Sequence, residues 1–165
     1  MSEITIRPAT LEDRAFIRSV SERTWPSTYG HIISQEQIDF MLDWMYSDNS
    51  LAAQFEKGHS FYIATLNGSD IGFCSVSAEE DHSYKLNKLY VLPIAQGTGS
   101  GKALLNKAIE VAKAAGAISL FLQVNKDNNA YTFYLKSGFI KEQEFKFDIG
   151  NGFYMDDYVM RLIIY

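Results

Sequence analysis

The chain has 165 residues, 47% of them hydrophobic and 14% aromatic, which is enough apolar surface for one compact core and excludes intrinsic disorder. Its formal net charge is -5 at pH 7, which argues against a basic face for nucleic acid and fits a cationic substrate better.

The first third of the chain predicts one strand and two helices. Alternation over residues 3–9 predicts a short strand, and Thr10 then resembles the N-cap of a helix that should run over about residues 11–23. Apolar residues at helical spacing within residues 33–47 predict the second helix, with Ser34 as its N-cap.

The middle of the chain predicts a hairpin and then a strand, a glycine loop and a helix. Two β-rich runs within residues 60–78 flank Asn67-Gly68, which is a strong hairpin signal. A strand over residues 84–93 leads into "AQGTGSGKALL", and the helical pattern that follows ends at Gly116.

The last third predicts a continuous apolar strand over residues 118–124, a short helix within residues 128–138 and two closing strands over residues 139–148 and 154–164. No repeat, low-complexity segment or linker interrupts this order. We therefore expect a single α/β domain over residues 1–165, built around a mixed sheet.

Cys74 is the one cysteine, so the chain has neither an internal disulfide framework nor a cysteine cluster for a metal. Its place in an alternating apolar strand predicts a small buried hydrophobe. The first residues are charged and have no apolar run, so we expect no secretory leader, and no run approaches the roughly 20 apolar residues needed to cross a bilayer. We expect a soluble cytoplasmic protein that binds no metal and has neither nucleic acid nor membrane as a partner.

The glycine loop fails two nucleotide-binding patterns. A P-loop, G-x-x-x-x-G-K-[ST], would need glycine where Gln96 stands and a hydroxyl where Ala103 stands. A dinucleotide fingerprint needs G-x-G-x-x-G, whereas Gly97, Gly99 and Gly101 are spaced G-x-G-x-G. What remains is Q-x-x-G-x-G before a helix, where residues without Cβ and a helix start together favour an anion.

At this point the sequence resembles the GNAT superfamily of N-acetyltransferases. The signature [QR]-x-x-G-x-[GA] after an L-x-V strand is matched by Gln96 to Gly101 after Leu89-Tyr90-Val91. A second block over residues 122–139, "LQVNKDNNAYTFYLKSGF", is similar to the later strand and helix of that family. The segment "TWPSTYGHIISQEQIDFML" looks most like the bacterial branch that includes polyamine acetyltransferases.

The resemblance implies the GNAT-like acyl-CoA N-acyltransferase fold, with a mixed, mostly antiparallel sheet of about six or seven strands flanked by about four helices. It also implies acetyl-CoA as the cosubstrate. The loop would bind the pyrophosphate and the strand would pair with the pantetheine arm. The implied cofactor contacts are Leu89, Tyr90, Val91, Gln96, Gly97, Thr98, Gly99, Ser100, Gly101 and Lys102.

A further cofactor contact is implied in the second block. The common family spacing places an Asn three residues before the motif Ala130, where this chain has Asp127. Asn128 lies two residues before that Ala, and we favour it over Asp127.

Two catalytic roles are also implied by the resemblance. The backbone N–H of Leu89 would stabilise the oxyanion, and Tyr134 would be the general acid. A phenol with a pKa of about 10 is protonated at neutral pH and can protonate a thiolate whose thiol has a pKa of about 8.5. The alternative for Tyr134 is a core aromatic on an amphipathic helix.

Other candidates stay open on the residues alone. Glu79, Glu80 and Asp81 could supply the general base or could form a solvated turn. His31 and His82 are further candidates for the base or are ordinary surface histidines, and the amine could also lose its proton through water. Four aromatic residues could line the acceptor pocket or belong to the core: Trp25, Tyr29, Trp44 and Tyr46.

The resulting functional hypothesis is an acetyl-CoA-dependent N-acetyltransferase that acts on a small, polyamine-like or other primary amine by direct transfer in a ternary complex. One alternative acceptor is a protein N-terminus or lysine. An alternative of another class is an acyl-CoA-binding regulatory domain without turnover. The sequence leaves the oligomeric state open, a homodimer included.

Overall fold

A computed structural model describes residues 3–164 of the chain. These residues form seven strands and five α-helices. In chain order they are β1 (Ile4–Pro8), α1 (Arg14–Tyr29), α2 (Gln35–Tyr46), α3 (Asp48–Glu56), β2 (Ser60–Leu66), β3 (Ser69–Ala78), β4 (Ser83–Val91), α4 (Ser100–Ala114), β5 (Ser119–Asn125), α5 (Ala130–Lys136), β6 (Ile140–Gly150) and β7 (Phe153–Ile163). Short 3₁₀ turns at Leu11–Asp13 and Pro93–Ala95 precede α1 and follow β4.

The strands form one sheet in the order β1-β2-β3-β4-β5-β7-β6. Every neighbouring pair is antiparallel except β4 and β5, which are parallel. This confirms the predicted mixed, mostly antiparallel sheet. The parallel pairing covers only residues 83–85 of β4 and 119–121 of β5, so the two strands separate beyond it.

The helices cover the two faces of the sheet and create two cores. Leu104 and Leu105 of α4 pack with Leu120 of β5 on one face, which we call the α4 face. Ile17 of α1 and Leu51 of α3 pack against the other face, which we call the α1 face. All five side chains are fully buried, so burial of apolar area holds both helical layers on the sheet.

Local signals form several elements as predicted. Asn67 and Gly68 both have positive φ, 51° and 86°, as the type I′ turn of a two-residue hairpin requires. The Oγ of Ser34 accepts a hydrogen bond from the N–H of Gln37 at 3.1 Å and so caps α2.

Two helix predictions need correction. The first helix continues past the expected end at Arg23 and reaches Tyr29, with Pro26 inside it. Because Pro26 lacks an N–H, the carbonyl left without a helical donor belongs to Glu22, an exposed residue that water can reach. The helix count is five rather than about four, because α3 lacked a clear apolar period and has only Leu51 fully buried.

Within residues 3–164 no helix is both long enough and apolar enough to span a membrane.

Candidate active site

A cleft of about 550 Å³ opens where β4 and β5 separate. Residues 86–91 of β4 and 122–124 of β5 form two of its sides. The C-terminal half of α1 and the first residues of α5 close the remaining sides. The gap follows from the short parallel pairing, because strands that diverge leave backbone groups facing an open space instead of a partner strand.

A β-bulge in β4 sets which groups face the cleft. Ser75 of β3 pairs with Lys88 and the next residue, Val76, pairs with Leu86, so Asn87 is the extra residue on β4. The bulge turns Asn87 and Lys88 toward the same sheet face, since the Asn87 amide donates to Ser77 Oγ at 3.0 Å and Lys88 lies over the Tyr46 ring.

The amides of Leu89 and Val91 point into the cleft. The Leu92 N–H donates to the Ile71 carbonyl of β3 at 2.8 Å, and successive N–H groups along a strand point in opposite directions. The Tyr90 N–H therefore points toward β3, whereas the N–H groups of Leu89 and Val91 point into the space between β4 and β5. Both residues line the cleft.

The glycine loop connects the end of β4 to the start of α4. Gly97 and Gly99 have φ of 80° and 90°, a left-handed conformation that favours glycine. The Thr98 hydroxyl bonds to the Ala95 carbonyl and lies 2.7 Å from Ser100 Oγ, which fixes the turn from inside. The Gln96 side-chain amide donates to the Val91 carbonyl at 3.3 Å and ties the loop to β4.

The loop and the first turn of α4 fit a phosphate group. Gln96 and Gly101 line the cleft, whereas Gly97, Thr98, Gly99, Ser100 and Lys102 lie in the loop and first turn outside that lining. A Cβ added at Gly101 would meet only ordinary contacts, 3.9 Å from Phe133 Cζ, so the protein itself leaves room there. Free amides and the positive end of a 15-residue helix both favour an anion at this position.

Asn128 lines the cleft at the start of α5, and Asp127 does not. The Asn128 Oδ1 accepts from the Ala130 N–H at 2.9 Å, so the side chain also holds the first turn of the helix. The Asp127 backbone N–H donates to Asn125 Oδ1 at 2.9 Å while Asp127 itself is exposed.

Tyr134 belongs both to the core and to the cleft wall. It is 7% exposed and packs edge-on against Phe133 and Phe139, with ring centroids 5.2 and 5.6 Å away. Burial raises the pKa of the Tyr134 hydroxyl well above its usual range, with Tyr29 and Cys74 adding to the shift. The phenol therefore stays protonated at neutral pH.

The aromatic candidates divide between core and cleft. Tyr29 lines the cleft, and its hydroxyl lies 3.3 Å from that of Tyr90. Trp25 and Tyr46 are both 1% exposed and belong to the core on the α1 face. Trp44 is exposed and stacks on Phe40.

The predicted acids lie away from the cleft. Glu79, Glu80 and Asp81 are exposed in the turn before β4, with His82 beside them, and none of the four lines the cleft. The glycine loop follows the other end of β4. His31 does line the cleft.

Cys74 is fully buried, as its strand pattern predicts. Its thiol lies 3.7 Å from the Leu104 carbonyl, and burial raises its pKa to about 12. Across residues 3–164, no group of three or more His, Cys, Asp or Glu side chains could hold a metal ion.

The sequence-based candidates omitted several cleft residues, among them Lys88, Gln123 and Thr28. The sequence does contain a signal for the position of Lys88. Side chains alternate along a strand, so Leu86 and Leu89, which are three residues apart, can both pack on the α4 face only if a bulge lies between them.

Known proteins are similar to this chain in both sequence and structure. A family model for the Acetyltransferase (GNAT) domain matches residues 57–141. The chain is 30% identical over 152 residues to an uncharacterized N-acetyltransferase of Mycobacterium bovis, across 91% of this chain and 97% of that protein. It is 29% identical over 142 residues to the spermidine N(1)-acetyltransferase of Thermoplasma acidophilum, across 82% of this chain and 88% of that protein.

A solved structure agrees with these relatives. The PaiA N-acetyltransferase from Thermoplasma acidophilum, crystallised in complex with coenzyme A, has a TM-score of 0.83 and 26% identity to this chain, and the match covers 98% of this chain and 99% of that one. The chain therefore belongs to the GNAT family and is an acetyl-CoA-dependent N-acetyltransferase.

Proposed function

We propose that this enzyme transfers the acetyl group directly to the primary amine of a small molecule while both substrates are bound. The observation that carries the proposal is a cleft of about 550 Å³ that reaches from the start of α4 to α1. Thr24, Thr28 and Tyr29 of α1 line the same cleft as the inward-facing β4 amides. Similarity to a spermidine acetyltransferase supports a small amine as the acceptor.

The glycine loop and β4 are the proposed binding site for acetyl-CoA, which supplies the acetyl group as a thioester. The inward-facing amides of Leu89 and Val91 suit an extended pantetheine arm that pairs with β4 as an added strand. The amides of the loop and of the first turn of α4 suit the pyrophosphate. The proposed contacts are Leu89, Tyr90, Val91, Gln96, Gly97, Thr98, Gly99, Ser100, Gly101, Lys102 and Asn128.

The Leu89 N–H is the proposed oxyanion donor. It follows the bulge directly and faces the cleft, so it can donate to the carbonyl oxygen of the thioester as that oxygen gains negative charge. Loss of one such donor typically slows a reaction by about 100-fold or more. Because the donor is a backbone group, replacement of the Leu89 side chain would leave it in place.

Tyr134 is the proposed general acid. Its hydroxyl belongs to a cleft-lining side chain and is protonated at neutral pH, so it carries a proton for the departing thiolate. The amine nitrogen bonds to the thioester carbon as the carbon–sulfur bond breaks, and the phenol proton passes to the sulfur. The amine loses a proton to solvent, and solvent returns one to Tyr134.

Direct transfer is favoured over an acetyl-cysteine intermediate. Cys74 is fully buried, and its raised pKa leaves almost no thiolate to attack a thioester at neutral pH. A free, buried thiol also fits a reducing compartment such as the cytoplasm, where we place the enzyme.

Release of free coenzyme A thiol on addition of small amines, polyamines, amino acids and peptides tests the proposal. We expect the wild-type enzyme to release thiol with one or more free amines.

In Tyr134→Phe we expect kcat to fall by about 100-fold, whereas the affinity for acetyl-CoA, measured by calorimetry, should be unchanged. Tyr131→Phe is the matched control, since Tyr131 lies on the same helix, packs at a tilt against Tyr158 and is outside the cleft lining. Release with peptides alone would instead favour a protein acceptor, and unchanged turnover would remove Tyr134 from the acid role.

A further inference from the structure

Lys88 places a positive charge on the cleft wall beside the proposed reaction centre. It directly precedes Leu89 on β4 and lines the cleft. Its ammonium lies 5.1 Å from the centroid of the Tyr46 ring, which is a fully buried aromatic of the α1 face. The ammonium therefore sits on the side of the sheet that α1, α2 and α3 cover.

No ion pair with this charge is found among residues 3–164. Every ion pair found among residues 3–164 involves another lysine or arginine, so no carboxylate lies within 4.0 Å of the Lys88 ammonium. Burial lowers the pKa of Lys88 to about 8, with Lys85 adding to the shift. The group is still mainly protonated at neutral pH, and only an aromatic face compensates it.

Two buried hydrogen-bonding groups near Lys88 are also without partners. Ser75 pairs directly with Lys88 across β3 and β4, is fully buried, and its Oγ has no hydrogen-bond partner among the described residues. The Trp25 ring, 5.9 Å from the Tyr46 ring, likewise leaves its Nε1–H without one. Unpartnered buried donors are uncommon, because each forfeits the hydrogen bond that it made to water.

The cofactor phosphates are poorly placed to use these donors. Leu89 and Val91 pack on the α4 face, where the glycine loop leads into α4, whereas Lys88 and Tyr90 face α1. A group bound at Lys88 would therefore belong to the acceptor and not to the pyrophosphate.

Among the described residues, none that lines the cleft is an Asp or a Glu. A polyamine would find no counter-charge there for its second ammonium, and Lys88 would repel it. An acceptor with an anionic group close to its amine would instead be attracted by the Lys88 ammonium, which lines the cleft.

We infer that Lys88 binds the carboxylate of the acceptor, and that the acceptor is a free amino acid or a similar amino carboxylic acid. This inference rests on the proposed transfer to small amines. Lys88 is a binding and specificity residue, and takes no proton from the amine.

Matched acceptors test the inference. Lysine is compared with cadaverine, and phenylalanine with phenethylamine, so that each pair differs only in the carboxylate. We expect kcat/KM to be at least about 10-fold higher for the acid of the preferred pair, as a hydrogen bond to a charged group provides. A comparison of 2-aminoethylphosphonate with β-alanine as acceptors distinguishes a phosphonate from a carboxylate. A preference for the phosphonate overturns the carboxylate assignment.

Lys88→Met should bring the ratio of kcat/KM for acid over amine close to one. Lys85→Met is the matched control and should keep the wild-type ratio, because Lys85 lies three residues earlier on β4 and is outside the cleft lining. An unchanged ratio in Lys88→Met, with or without an equal loss for both members of a pair, overturns the inference, and so does a wild-type preference for cadaverine. Either result leaves acetyl transfer to small amines standing, which fails separately if no free amine releases thiol.

A measurement on the wild-type enzyme covers the case in which Lys88→Met does not fold. 3-Phenylpropanoate, which has the carboxylate but no amine, should compete with the acceptor at least about 10-fold better than 3-phenylpropanamide. Equal inhibition by the acid and the amide overturns the inference without any variant.

Discussion

Asp157 of β7 is a buried carboxylate whose ionisation opposes folding. It is 9% exposed, lies opposite Asn125 of β5, and its Oδ1 has no hydrogen-bond partner within residues 3–164. Burial, with Asp156 adding to it, raises the pKa of Asp157 from 3.8 to about 6. The folded protein therefore holds this proton more tightly than the unfolded chain does.

The sign of the pH dependence follows from that difference. Between about pH 4 and pH 6 the native state binds more protons at Asp157 than the unfolded state, so this contribution to stability is lost as pH rises through that window. We therefore expect the free energy of unfolding of Asp157→Asn, relative to that of wild type, to rise by on the order of 2 kcal/mol when the pH is raised from 4.5 to 7.5. Urea unfolding at both pH values measures it.

Asp127→Asn is the control for this experiment, because Asp127 is exposed. It should change the stability difference between the two pH values by only a few tenths of a kcal/mol. A stability gain for Asp157→Asn that is the same at both pH values would contradict the raised pKa and would indicate a packing effect instead.

At the scale of elements, two glycines at opposite ends of α4 allow the effect of backbone strain to be measured apart from the effect on ligand binding. Gly99 and Gly116 both have positive φ, 90° and 83°, and a Cβ at either meets no close contact in the protein. Gly99 precedes α4 beside the cleft, whereas Gly116 follows α4 at its other end. Alanine at either position should therefore lower the free energy of unfolding by about 1 kcal/mol.

Only Gly99→Ala should also weaken acetyl-CoA binding, by about 10-fold or more, because its Cβ would lie where backbone amides approach the phosphates. Calorimetric titration of both variants with acetyl-CoA measures the difference. If Gly116→Ala weakens binding as much as Gly99→Ala, the effect comes from general destabilisation and the loop loses its assigned role.

The elements that local chemistry decides were predictable, and those that packing decides were not. Asn67-Gly68 fixes a hairpin through its own φ values, and the loop glycines mark the start of α4 in the same way. By contrast, α3 has a local cap at Ser47, but Leu51 is its one fully buried residue among those described, so packing of Leu51 in the core contributes what the sequence pattern does not show. Lys88 faces the cleft only because the bulge shifts the strand by one residue, and that shift depends on the pairing with β3.

At the scale of the whole molecule, the cleft divides the sheet. Residues before it form β1 to β4, and β5 to β7 follow it, with only three residue pairs joining β4 to β5. A ligand that pairs with β4 therefore adds hydrogen bonds at the junction where β1 to β4 and β5 to β7 are joined by the fewest paired residues. Binding should stiffen this junction more than any part of the continuous antiparallel pairing.

Hydrogen exchange followed by mass spectrometry tests this coupling. With saturating acetyl-CoA, peptides that contain the inward-facing amides of Leu89 and Val91 should exchange more slowly at the shortest labelling times, as should peptides from residues 122–124. Peptides from the β2–β3 hairpin around Asn67-Gly68 should be unchanged at those times, because their pairing is complete without the ligand. They should slow only at long times, when exchange requires global unfolding that the bound ligand suppresses. Equal slowing of both sets at all times would mean that binding stabilises the fold as a whole and leaves the β4–β5 junction unaltered.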